Sequence, residues 1–113
     1  MNCNITTAPD FDRSIKALAK HYPSMKDDFR AFMEEIRSNP FLGTPLGHHL
    51  HKARFATTSK GKGKSGGARV ITHALLYASD EANVTLLMIY DKKDQSTITD
   101  KEIKELLRKN GLI

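Results

Sequence analysis

Residues 68–93 read ARVITHALLYASDEANVTLLMIYDKK, and the division of this stretch decides the fold. Ala68 to Ala78 is expected to form one strand and Asn83 to Tyr90 another, with Ser79-Asp80-Glu81 turning the chain between them. The run VTLLMIY is apolar without alternation, so its strand is predicted to be central and buried on both faces. Upstream, Lys60 to Gly67 (KGKGKSGG) is turn chemistry plus positive charge, a long hairpin loop. Before it, Lys52 to Thr58 alternates: Ala53, Phe55 and Thr57 point one way, Lys52, Arg54 and Ala56 the other.

Further upstream, residues 40–51 (PFLGTPLGHHLH) read as a loop rich in Pro and Gly. Two helices precede it. In the first, capped by Asp10, Phe11, Ile15, Leu18, Ala19 and Tyr22 recur at helical spacing until Pro23. In the second, capped by Ser24, Met25, Phe29, Phe32, Met33 and Ile36 form one stripe, and Asn39-Pro40 stops it. The short link between them makes a helical hairpin whose Met and Phe stripes are core. Residues 2–7 (NCNITT) are expected as a short strand. At the other end Thr99-Asp100-Lys101-Glu102 spells a capping box, with Ile103, Leu106 and Leu107 on one face and Gly111 at the helix end. The order is β-α-α-β-β-β-α: a single α+β domain over residues 1–113, its helical hairpin laid on an antiparallel-dominated sheet.

The chain has 113 residues, 39% hydrophobic and 27% charged, the balance of an ordinary globular domain. No stretch approaches the ~20 apolar residues of a membrane helix. The first ten residues lack the basic start and apolar run of a signal peptide, and a lone cysteine, Cys3, makes no internal disulfide. A cytoplasmic protein with no membrane partner is expected. Charge is unevenly distributed. Between Arg37 and Ser79 there is no acidic residue, while Arg37, Lys52, Arg54, Lys60, Lys62, Lys64 and Arg69 contribute +7; eleven basic against thirteen acidic residues elsewhere net −2. Such a centre suggests a polyanion partner, since clustered cations gain from phosphate contact and counterion release.

Gly61-Lys62-Gly63-Lys64-Ser65 looks like a phosphate-binding loop but fails the pattern: position 58 is Thr where a glycine is needed, and a strand rather than a helix is expected to follow. His48, His49 and His51 lack metal-ligand spacing and nearby cysteine or carboxylate, so no metal is expected. The strand positions carry more information. Lys52 and Arg54 share a face, predicted to be open to solvent; Arg69, His73 and Tyr77 share a face of the next strand; Tyr90, Lys92 and Lys93 close the last. With Lys60, Lys62 and Lys64 delivered by the loop, these groups suit RNA backbone and bases. RNA brings its own nucleophile, the 2′-hydroxyl, so cations alone can supply the electrostatic stabilisation, and a lysine crowded by cations has a lowered pKa suited to a base. Non-catalytic phosphate binding fits the same residues.

The two helices, the segment KARF, the run GKGKSGGARVI and then VTLLMIYDKKDQSTITDKEIKELL together resemble the RelE/ParE superfamily of toxins from toxin–antitoxin pairs, closest to HigB-type members of the RelE branch. The resemblance spans nearly the whole chain. It implies a ribosome-dependent, metal-independent mRNA endoribonuclease with no cofactor, whose partners are a cognate antitoxin, the ribosome with its rRNA, and mRNA. By that likeness Arg69 matches the arginine at the scissile phosphate, Lys52 and Arg54 the basic strand, and Lys92 and Lys93 the cationic strand end. Lys64, Lys92 and His73 are the candidates for general base. Gln95, Ser96 and Thr97 stand where some members carry a tyrosine, a role that leaves Tyr90 as the nearby substitute. Two other classes fit less well: a ParE-like inhibitor of DNA gyrase that does no chemistry, and an RNA-binding module without toxin activity.

Overall fold

The apolar run forms β5 (Glu81–Asp91), flanked on both sides in a five-stranded sheet of order β1-β5-β4-β3-β2. The computed structural model describes residues 2–61, 66–95 and 97–113. The elements run β1 (Asn2–Thr7), α1 (Pro9–His21), α2 (Met25–Ser38), β2 (Thr44–Gly47), β3 (Leu50–Phe55), a 3-10 turn (Thr58–Lys60), β4 (Ala68–Ala78), β5 and α3 (Asp100–Lys109). β1 pairs with β5 in parallel and every other pairing is antiparallel. The α+β class and the layout of a helical hairpin on a mostly antiparallel sheet are as expected.

Each face of the sheet has its own core. On one, Phe11, Met25, Phe32 and Ile36 of the helical hairpin pack on Ala53, Phe55, Val70, Val84, Leu86 and Ile89. The rings of Phe32 and Phe55 lie 5.2 Å apart, in the range where aromatic pairs attract. On the other face Ile103, Leu106 and Leu107 of α3 cover Leu50, Ile71, Leu87 and Tyr90. This double covering explains why β5 shows no polar alternation. The Thr99 capping box forms as expected, with the Thr99 hydroxyl accepting from the Glu102 amide and the Glu102 carboxylate accepting from the Thr99 amide.

Four local expectations are corrected. The segment 40–51 is not all loop: β2 and β3 form a hairpin there, joined by His48 and His49 at φ of 54° and 64°. Two consecutive positive-φ residues are normally marked by Asn-Gly, and the His-His pair hides the turn. β3 ends at Phe55 rather than Thr58, because Thr58 is drawn into the 3-10 turn by Asp28. Helix α1 starts at Pro9 with Ala8 as N-cap, so Asp10 lies in the first turn, where it meets Arg13 and Lys109. Ser24 does hold the N-cap position of α2, but its hydroxyl donates to Asp28 at 2.6 Å instead of capping.

Candidate nucleic-acid interface

Register brings three expected residues into one cross-strand row. Arg54 of β3 lies directly opposite Arg69 of β4, and Arg69 directly opposite Tyr90 of β5. At about 4.8 Å between strands the row is roughly 10 Å wide. Its side chains share the sheet face that carries α3, as do Leu50 and Ile71. That face was expected to be open to solvent; instead α3 covers part of it. Arg54 is exposed and Lys52 half-buried, whereas Arg69 is only 8% exposed and Nη1 donates to the Ala68 carbonyl at 3.0 Å. Like charges placed directly opposite across strands destabilise a sheet. A notch of about 250 Å³ lined by Leu42, Gly43, Thr44, Lys52 and Arg54 opens beside the row.

Tyr90 is buried, so its ring offers no open face for a base to stack on, contrary to the stacking surface expected of it. Among the described residues its hydroxyl has no hydrogen-bond partner. Burial pushes the phenol above its ordinary value; the Arg69 charge pulls it down and Glu102 pushes it up. At neutral pH Tyr90 is therefore a hydrogen-bond donor and not a base.

Lys92 and Lys93 follow in an exposed turn at the same end of the sheet, where the Lys92 amide donates to the Gly67 carbonyl at 3.2 Å. Gly67 is confined: a Cβ there would stand 2.1 Å from the Phe55 carbonyl oxygen. Lys62 and Lys64 lie outside the described residues.

Two expected residues are elsewhere. Lys60 does not join the cationic surface; on the helical-hairpin face it forms an ion pair with Asp91 at 2.6 Å, with side-chain exposures of 11% and 3%. Tyr22 also donates to Asp91 at 2.6 Å, and the Lys93 amide at 3.1 Å. Burial alone would raise the Asp91 carboxyl, but the hydrogen bonds from Lys60, Tyr22 and Lys93 and the Lys60 charge hold it below its ordinary value. His73 lies on the same face as Arg69 but four residues along β4, about 13 Å away. That separation is too great for one phosphate to engage both. His73 is buried edge-on against His49, ring centroids 5.9 Å apart, and burial followed by the His49 charge lowers its pKa.

Sequence reasoning missed the two carboxylates that anchor this end. Asp28, buried in α2, accepts from the Ser24 hydroxyl, the Thr58 amide and the Thr58 hydroxyl at 2.6, 3.0 and 2.6 Å. Asp91 does the same work for Lys60 and Tyr22. Together they bind the 3-10 turn to the helical hairpin. The Ser24–Asp28 spacing of four residues was a visible signal for the first; nothing local marked the second. Among the described residues no group of three or more His, Cys, Asp or Glu is placed to hold a metal ion. Among them, too, no helix is long and apolar enough to cross a membrane. No protein-family model matches the chain.

Proposed function

We propose that the protein is a toxin of the RelE/HigB type, a metal-independent endoribonuclease that cuts mRNA on the ribosome and is restrained by a cognate antitoxin in the cytoplasm. The observation that carries this reading is the Arg54–Arg69 opposition, beside the turn that presents Lys92 and Lys93. In the reaction the 2′-oxygen forms a bond to phosphorus as the bond from phosphorus to the 5′-oxygen breaks, leaving a 2′,3′-cyclic phosphate and a 5′-hydroxyl. The 2′-hydroxyl proton passes to a base and the leaving oxygen gains a proton. Arg54 and Arg69 stabilise the charge that grows on the phosphate; a single such donor is commonly worth 10²–10³ in rate. Lys92 is the described candidate for base, and Lys64 remains one outside the described residues. His73, too far from the arginine row, drops out of that role.

The same row disfavours a gyrase inhibitor that does no chemistry, which has no use for opposed arginines. The test incubates purified protein with translating ribosomes and a defined mRNA, and maps the ends produced. Cuts within the A-site codon that leave cyclic phosphate, without divalent metal, are expected. Intact mRNA combined with retained ribosome binding favours the RNA-binding module, and DNA-damage signalling in induced cells favours the gyrase reading.

A further inference from the structure

The β2–β3 hairpin meets a shielded imidazole on each face of the sheet. Neighbouring residues of a strand point to opposite faces. His51 of β3, opposite Thr72, therefore projects to the helical-hairpin face, while His73 of β4, opposite Leu50, projects to the α3 face. His73 is buried, with the His49 ring edge-on against it at an interplanar angle of 80°. His51 is half-buried against the Phe41 ring, 6.0 Å away between centroids. Its Nδ1 is shut off from solvent and, among the described residues, has no hydrogen-bond partner. The buried Thr72 hydroxyl opposite it is without a partner in the same way, so the two do not bond. The turn that these side chains hold is an unfavourable one. His48 and His49 both take positive φ, which a residue with a Cβ resists, and the His49 carbonyl accepts from the Ala74 amide of β4 at 3.0 Å.

We propose that His49, His51 and His73 form an acid-sensitive latch, which holds the β2–β3 hairpin to β4 while the imidazoles are neutral and releases it when they are protonated. The inference stands whether or not the protein cuts RNA. A neutral His51 carries its proton on Nε2 and leaves Nδ1 bare; charging the ring puts an N–H at a buried atom with nothing to receive it. Charging His73 sets a cation in a buried site beside a second imidazole. The groups facing them offer no counter-charge. Pro45 of β2, Thr72 of β4 and Phe41 face His51; Leu50 of β3, Thr85 of β5 and His49 face His73, and of all these only His49 titrates in this range. Burial lowers the pKa of both, and at His73 the His49 charge lowers it further. The opened hairpin therefore takes up protons first. The latch is complete above the ordinary histidine range and is lost as pH falls through the lower, folded values. β3 also carries Lys52 and Arg54, so the same protons loosen the cationic row.

The test follows imidazole resonances and backbone amide exchange of the full chain by NMR, from about pH 7.5 down to about pH 4.5, the range that histidine titration spans. His51 and His73 should titrate below the ordinary histidine value, and the amide shifts of the β2–β3 hairpin should move at the same midpoints. Once corrected for intrinsic exchange, protection of the Ala74 amide and of the β2–β3 ladder should fall about tenfold or more, while the β4–β5 ladder keeps its protection. The double variant His51→Gln, His73→Gln should lose this dependence on acid. If that variant does not fold, the coincidence of midpoints in the parent decides alone. Hairpin protection that is flat with pH, a loss shared equally by the β4–β5 ladder, or hairpin midpoints in the carboxylate range would each overturn the proposal.

Discussion

Two charged clusters occupy opposite faces of the same strand ends, and they are built on opposite principles. On the helical-hairpin face, Asp91 is surrounded by Lys60, Tyr22 and the Lys93 amide, every partner within 3.1 Å. On the α3 face, Arg54 is set against Arg69, with the Tyr90 hydroxyl, which has no hydrogen-bond partner among the described residues, next in the row. The first cluster is a closed account of charge and serves the fold. The second sets two cations directly opposite at the end of the sheet, a placement that suits contact with an anion. Deletion should therefore have opposite consequences on the two faces.

The largest effect is expected at the closed cluster. Asp91→Ala leaves the Lys60 ammonium buried without its counter-charge, so denaturant melts should show a loss of about 3–5 kcal/mol. A loss below 1 kcal/mol would erase the contrast between the faces. Arg69→Ala should leave the fold intact and reduce mRNA cleavage by about 100-fold or more, read as cut ends per ribosome. Undiminished cleavage would remove Arg69 from the site.

Acid sharpens the comparison further. The Asp91 carboxyl is held below its unfolded value, so its stabilisation is complete above the ordinary carboxylate range and is lost as pH falls through the lower, folded value. The stability difference between the parent and Asp91→Asn should therefore shrink on acidification. A difference independent of pH would mean that the carboxylate charge is not what the clip uses. Tyr90→Phe deletes a buried hydroxyl that has no partner among the described residues, so stability should hold steady or rise by up to about 1 kcal/mol. The smallest effect belongs to Arg54→Ala: relieving like-charge opposition should shift stability by no more than about 0.5 kcal/mol, while the salt dependence of ribosome binding falls by about one phosphate contact.

Periodicity made the elements readable. The double-sided apolar run of β5, the Met and Phe stripe of α2 and the capping box at Thr99 all became what their local pattern requires. The β2–β3 hairpin escaped because its turn uses histidines in a conformation that glycine and asparagine usually signal. The site divides the same way. Arg54, Arg69, Lys92 and Lys93 stand out as cations at strand ends, and their order along the chain already places them at one end of the sheet. Lys60 looks identical in sequence yet is consumed by a carboxylate 31 positions away. Tyr90, read as a stacking surface, is covered by a helix that follows it in the chain.

By itself the sequence determined which segments are strands and helices and which carry positive charge, because backbone geometry and the spacing of apolar residues act over a few positions. The tertiary structure alone decided that Arg54 faces Arg69, that Asp28 and Asp91 are buried and that Lys60 meets Asp91. Those are matters of register and of pairing between residues distant along the chain. A charge becomes a structural clip or a binding group only when its partner's position is settled.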